Sequence, residues 1–100
     1  MDITVEELKK RMDNKENLLV IDVREPHEYD EFNIGAKNIP LANIPMTIAD
    51  LEEHKQDEII VHCRSGKRSA TAQAIFTQAG FANVRNLVGG MLEWQSKFPK

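Results

Sequence analysis

The sequence predicts an α/β fold in three layers, a central parallel sheet with helices on both faces, with residues 1–100 forming a single domain. Three observations carry that expectation. LLVID (18–22) and EIIVHC (58–63) hold the short, unbroken apolar runs LLVI and IIV, the pattern of strands buried on both faces. Elsewhere apolar residues recur at helical spacing. The two kinds of segment alternate at short intervals, which suits helices crossing between neighbouring parallel strands.

Taken in order, Thr4-Val5-Glu6-Glu7 carries a capping-box signature, and Val5, Leu8 and Met12 then place a helix over 5–13. LLVID follows as the first strand. EPHEYDEF (25–32) reads as a short helix because Pro26 suits its first turn. A short strand is expected at AKNIP (36–40), then a helix starting near Pro45 and carrying Ile48 and Leu51. After EIIVHC, the residues Ala72, Ile75, Phe76 and Ala79 mark a helix from Lys67 to Ala79, closed by Gly80. NVRNL (83–87) is the last strand, and Gly89-Gly90 precede a final helix with Met91, Leu92 and Trp94.

Composition narrows the function classes. The chain is 41% hydrophobic and 29% charged, ordinary for a globular protein, and neither LLVI nor IIV is long enough to cross a membrane. MDITVEELKK shows no basic segment followed by an apolar one, and a lone cysteine forms no internal disulfide; the expected location is the cytoplasm. All 16 acidic residues lie in 1–58 or at Glu93, whereas 59–92 holds Arg64, Lys67, Arg68 and Arg85 and no acid. A compact basic island on an acidic body suits a small anionic ligand; a nucleic-acid surface needs a broader basic stripe, so no nucleic acid or membrane partner is expected.

That island surrounds the single cysteine, in HCRSGKRS (62–69). Cys63 falls where a central strand ends and a helix begins, the edge at which open parallel sheets bind ligands. Arg64, Ser65, Gly66 and Lys67 can turn their N–H groups inward as a nest, with Gly66 allowing the backbone angles required. Cations at a helix N-terminus are each unfavourable by roughly a few tenths of a kcal/mol, so Arg64, Lys67 and Arg68 make sense there if the nest holds an anion. The Cys63 thiolate is one such anion and a substrate another, and these surroundings favour a reactive thiolate over an inert buried thiol. Without a second thiol, covalent chemistry at Cys63 must pass its group to an outside acceptor or to water. Sulfur transfer through a persulfide and phosphoryl transfer through a phosphocysteine both fit.

Over nearly its whole length the chain resembles the rhodanese family of single-domain sulfurtransferases. The matching stretches are ITVEELKK (3–10), LLVIDVREPHEYDEFNIGAKNIPL (18–41) and IIVHCRSGKRSATAQAIFTQAGFANVRNLVGGMLEW (59–94), with their motifs in the family's order. The resemblance implies a five-stranded parallel sheet between helices. It also implies that Cys63 takes a sulfane sulfur from a small anionic donor such as thiosulfate and passes it to a thiol, cyanide or a protein cysteine. Arg64, Ser65, Gly66, Lys67 and Arg68 then form the substrate-binding loop, with no cofactor and no metal. Cysteine phosphatases look like His-Cys, five residues and an arginine, whereas four residues separate Cys63 from Arg68 here. That spacing places a phosphatase or arsenate reductase behind sulfur transfer. Retention of Cys63 does the same for a rhodanese-like binding or regulatory module without turnover.

The remaining polar residues are expected to be architectural. Asp22 and Arg24 end the first strand on the same sheet edge as Cys63, and a hydrogen-bond or ion-pair role is favoured for them. His62 should face away from the nest, because side chains alternate along a strand. His27 and His54 are too scattered for a metal site. Trp94, Met91 and Leu92 are expected in the core or at a pocket rim, and Ser65 and Ser69 as hydrogen-bond donors or helix caps. Phe32-Asn33-Ile34 departs from the His-Ile-Pro-like run of many family members, which bears on packing or substrate preference.

Overall fold

A computed structural model describes residues 2–99. The elements are α1 (Val5–Asp13), β1 (Leu19–Asp22), α2 (Pro26–Glu31), β2 (Lys37–Asn38), α3 (Ile44–Thr47), β3 (Glu58–His62), α4 (Lys67–Gln78), β4 (Asn83–Asn86) and α5 (Gly90–Lys97), with single 3-10 turns at Leu41–Asn43 and Ala49–His54. The strands form one parallel sheet in the order β2-β1-β3-β4. Ile21 stands beside Val61 and Asp22 beside His62, so the ends of β1 and β3 lie side by side.

The sheet has four strands rather than the five expected. What would be the fifth is one bridge, Ile3 to Leu87, in which the Ile3 N–H donates to the Asn86 carbonyl (3.0 Å) and the Val88 N–H to the Ile3 carbonyl (2.9 Å). The strand stops there because Thr4 already begins α1, its Oγ accepting from the Glu7 N–H at 3.1 Å. Only that half of the capping box forms. The Glu7 carboxylate reaches Arg85 instead (3.2 Å). The helix expected from Pro45 is also shorter than its apolar spacing suggests, ending at Thr47 before the 3-10 turn takes over.

Alternation along β3 explains the two half-cores. Ile59, Val61 and Cys63 face α4, packing with Ile21, Val23, Ala72 and Phe76, whereas Ile60 faces α1 and α5, packing with Val5, Leu8, Met91 and Trp94. Burial on both faces is why β3 reads as an unbroken apolar run. Phe76 meets Phe81 edge-on at 5.1 Å, and Trp94 meets Phe98 likewise at 5.1 Å, arrangements that suit the ring quadrupoles. At the far end from Cys63, Glu58 binds Arg11 through two contacts (2.8 and 2.6 Å) and Arg85 at 2.8 Å, tying α1 to the start of β3 and to β4. Among the described residues no helix is long and apolar enough to cross a membrane.

Candidate active site

Cys63 follows directly on β3, and its backbone turns sharply through Gly66 (φ 109°) into α4. A left-handed φ is costly for any residue with a Cβ, so glycine at 66 is what lets the loop close in so few residues. The turn aims N–H groups at the sulfur: Gly66 N–H lies 3.1 Å from Cys63 Sγ, Ser69 N–H 3.4 Å, and Ser69 Oγ 3.4 Å. Burial pushes the Cys63 thiol up, but hydrogen bonds from the Ser69 hydroxyl and from the N–H groups of Ser69, Gly66 and Ser65 outweigh it, and its pKa falls below that of an ordinary thiol.

The carbonyls of the loop are held outward by a second helix. Met91 N–H donates to the Cys63 carbonyl and Leu92 N–H to the Arg64 carbonyl, both at 2.9 Å. The first turn of α5 thus spends free N–H groups on these carbonyls. Holding the Arg64 carbonyl outward also sets the Arg64–Ser65 peptide, whose N–H is one of those bonded to Sγ. Asn86, at the end of β4, braces the same loop through its Nδ2, 3.1 Å from the Gly66 carbonyl.

The three cations of the loop part company. Arg68 forms a two-point ion pair with Glu28 of α2 (2.7 and 2.9 Å), so its charge is largely offset. The Arg68 guanidinium in turn holds the Glu28 carboxyl down, to about 2. Arg64 and Lys67 are exposed, and no ion pair engages either among the described residues. Arg64 borders a small cleft of 240 Å³ that Arg24, Phe32, Met91 and Leu92 also line. Two larger clefts, of 410 and 620 Å³, open at the opposite end of β1 beside Leu18 and Leu19, and Cys63 lines neither.

Asp22 and Arg24 form a buried ion pair, 0% and 6% exposed. Arg24 Nη2 lies 2.8 Å from Asp22 Oδ2 and 2.7 Å from the Phe32 carbonyl, while Arg24 Nε and its backbone N–H both donate to Asp22 Oδ1 at 3.0 Å. This pair fixes the end of β1 to the end of α2. Of the Phe32-Asn33-Ile34 departure, Phe32 and Ile34 pack against the α1/α5 half-core, Phe32 also lines the cleft beside Arg64, and Asn33 caps the turn by accepting from Gly35 N–H at 2.9 Å.

His62 faces away from the nest, as alternation requires, and is fully buried with no hydrogen-bond partner on either ring nitrogen. Asp22 Oδ2, at 3.9 Å, is too distant for a hydrogen bond. Burial lowers the His62 pKa from 6.5 to about 4, Asp22 opposing and Arg24 assisting. Because the folded value lies below the unfolded one, unfolded chains take up the proton first, and stability is lost as pH falls from 6.5 through 4. The lost amount is on the order of 3 kcal/mol. Glu28 and Glu58, both lowered from 4.5 to about 2, contribute stability that is lost in a later window, as pH falls from 4.5 toward 2. Urea midpoints measured against pH should show both windows. In His62→Leu the upper one flattens, and its persistence there would assign the loss to another group.

The structure gathers Cys63 and residues 64–68, the site expected from the sequence, at one sheet edge. Sequence reasoning missed Glu28, Asn86 and the α5 N-terminus. Asn86 did leave a signal: in NVRN it shares the inward face of Val84 and is a polar residue at a buried position. Among the described residues no group of His, Cys, Asp and Glu could hold a metal ion.

Comparisons place this geometry among known proteins. The model of the rhodanese-like domain family matches residues 4–97. YrkF of Bacillus subtilis is 38% identical over 97 residues, covering 96% of this chain and 51% of that protein, so the chain spans about half of that relative's length. The thiosulfate:glutathione sulfurtransferase of Saccharomyces cerevisiae is 36% identical over 92 residues, covering 80% of this chain and 66% of that one. The crystal structure of a rhodanese-like domain protein from Staphylococcus aureus superposes with a TM-score of 0.81 at 31% identity, covering 94% of this chain and 91% of that one.

Proposed function

This chain belongs to the rhodanese-like domain family, and from that premise we propose that it is a sulfurtransferase carrying sulfane sulfur as a persulfide on Cys63. The observation that carries this reading is the set of N–H groups turned on Sγ by the six-residue loop Cys63–Arg68 and the residue after it, Gly66 at 3.1 Å and Ser69 at 3.4 Å. The thiolate attacks the outer sulfur of a donor such as thiosulfate; a new S–S bond forms, the donor's S–S bond breaks, and sulfite leaves with its electron pair. The same N–H groups stabilise the negative charge of the persulfide. A nucleophilic acceptor, whether a thiol, cyanide or a protein cysteine, then attacks the outer sulfur and returns the electron pair to Cys63.

Cys63 is only 1% exposed, which favours a donor that presents a terminal sulfur end-on. Arg64 and Lys67 stand at the rim as exposed cations and draw in anionic donors. Arg68, held by Glu28, acts chiefly on loop shape. The relative named for thiosulfate and glutathione supports this choice of donor and a thiol acceptor.

Intact mass after incubation with thiosulfate tests the proposal. The expected product is one sulfur atom heavier than the starting protein, absent in Cys63→Ala, and discharged by cyanide with formation of thiocyanate. No heavier species and no thiocyanate would sink it.

A further inference from the structure

The single hydroxyl proton of Ser69 has two acceptors within reach, Asn86 and Cys63. Ser69 is fully buried and its Oγ lies 2.6 Å from Asn86 Oδ1 and 3.4 Å from Cys63 Sγ. The Asn86 amide cannot be turned over, because its Nδ2 is engaged by the Gly66 carbonyl at 3.1 Å. The 2.6 Å contact is therefore between the hydroxyl and a carbonyl oxygen, which only accepts, so the hydroxyl donates. A hydroxyl has a single proton. In this arrangement Ser69 presents a lone pair to Sγ, suited to receive an S–H and unsuited to face a thiolate; the hydroxyl supplies the bond that favours the thiolate only once it has turned from Asn86 to Sγ.

We propose that Asn86 is a positioning residue of the sulfur site: its carboxamide oxygen holds the Ser69 hydroxyl proton while Sγ is uncharged and yields it to Sγ when the sulfur is a thiolate. The idea rests on Cys63 being the sulfur-carrying thiol. No bond to the Ser69 oxygen breaks; the O–H rotates about the Cβ–Oγ bond. When the thiolate joins an incoming sulfur, Sγ loses its charge and the hydroxyl returns to Asn86. When an acceptor attacks the outer sulfur, the electron pair of the broken S–S bond comes back to Sγ and the hydroxyl turns to meet it. Asn86 thus limits how strongly the resting thiolate is stabilised while leaving a donor in reserve for the leaving sulfur.

The other charges near Sγ, those of Arg64, Lys67 and the Arg68–Glu28 pair, are unchanged by altering Asn86. His62 and Asp22 lie on the opposite face of the sheet. The Asn86 backbone N–H, which donates to Asp2 Oδ1 at 3.2 Å, is also unaffected by a side-chain substitution.

The test is a double-mutant cycle read by the ultraviolet absorbance of the thiolate against pH, on reduced protein with no sulfur donor. With Ser69 present, Asn86→Ala moves the midpoint to lower pH, with roughly tenfold more thiolate below the original midpoint, the size of one hydrogen bond gained by a charged acceptor. In the Ser69→Ala background the same substitution produces no such fall. A role for Asn86 confined to bracing Gly66 predicts instead a shift of the same size and sign in both backgrounds, and that result, or no shift, or a rise, overturns the proposal. Asn86→Leu, of similar volume, provides the same comparison should the alanine variant not fold. Since neither donor nor acceptor is used, failure of the cycle is distinct from failure to form the persulfide.

Discussion

Asp22→Ala is expected to lower the stability of the folded protein by about 3–5 kcal/mol, the range seen when one partner of a buried ion pair is removed. The reason lies in what is left behind. Arg24 is 6% exposed, and four of its contacts depend on the Asp22 carboxylate, the Phe32 carbonyl being the guanidinium's other partner. Without Asp22 a guanidinium remains out of water with its charge uncompensated. Loss of the pair also frees the end of β1, which lies beside the end of β3 and so beside Cys63. Urea unfolding measures the effect, with Glu28→Gln as the contrast. Glu28 and Arg68 also form a two-point pair, but their side chains are 20% and 34% exposed, and pairs near the surface contribute about 0–1 kcal/mol. Equal losses in the two variants would show that burial of the Asp22–Arg24 pair has no special weight.

The contrast between these pairs also marks what a sequence can show. IDVRE suggested a hydrogen-bond or ion-pair role for Asp22 and Arg24, and the two meet within one short stretch at the end of β1. The Arg68–Glu28 contact spans 40 residues and depends on how α2 docks beside α4, which no local spacing encodes. β1 and β3 were legible because burial on both faces leaves unbroken apolar runs, and once β3 ends at His62, Cys63 falls at the ligand-binding edge. The fifth strand of the family pattern was not legible as a single bridge, since only the capping of α1 by Thr4 decides where that extended segment stops. The nest itself was foreseeable from Gly66. The outward pull on its carbonyls was not, because it comes from α5, more than 20 residues downstream in sequence.

That outward pull makes Gly90 the most sensitive backbone position of the site. A Cβ on Gly90 would stand 2.5 Å from the Cys63 carbonyl oxygen and 2.6 Å from that of Arg64, both backbone atoms of the loop around Sγ. Gly90 also has φ +55°, in the left-handed region, where a Cβ costs roughly 1–2 kcal/mol. Gly90→Ala is therefore expected to displace the two carbonyls that Met91 and Leu92 hold, and with them the start of the loop, including the Ser65 N–H that bonds to Sγ. A shift of the order of 1 Å at reacting groups lowers rates by about a hundredfold, and that loss in kcat/KM for sulfur transfer is the expected result. Gly35→Ala isolates the backbone contribution, because Gly35 has φ +84° but nothing within 4 Å of its added Cβ. It should lose about 1 kcal/mol of stability and keep its activity. If Gly90→Ala behaves like Gly35→Ala in both respects, the carbonyls of Cys63 and Arg64 are free to move without cost, and α5 does not set the geometry of the sulfur site.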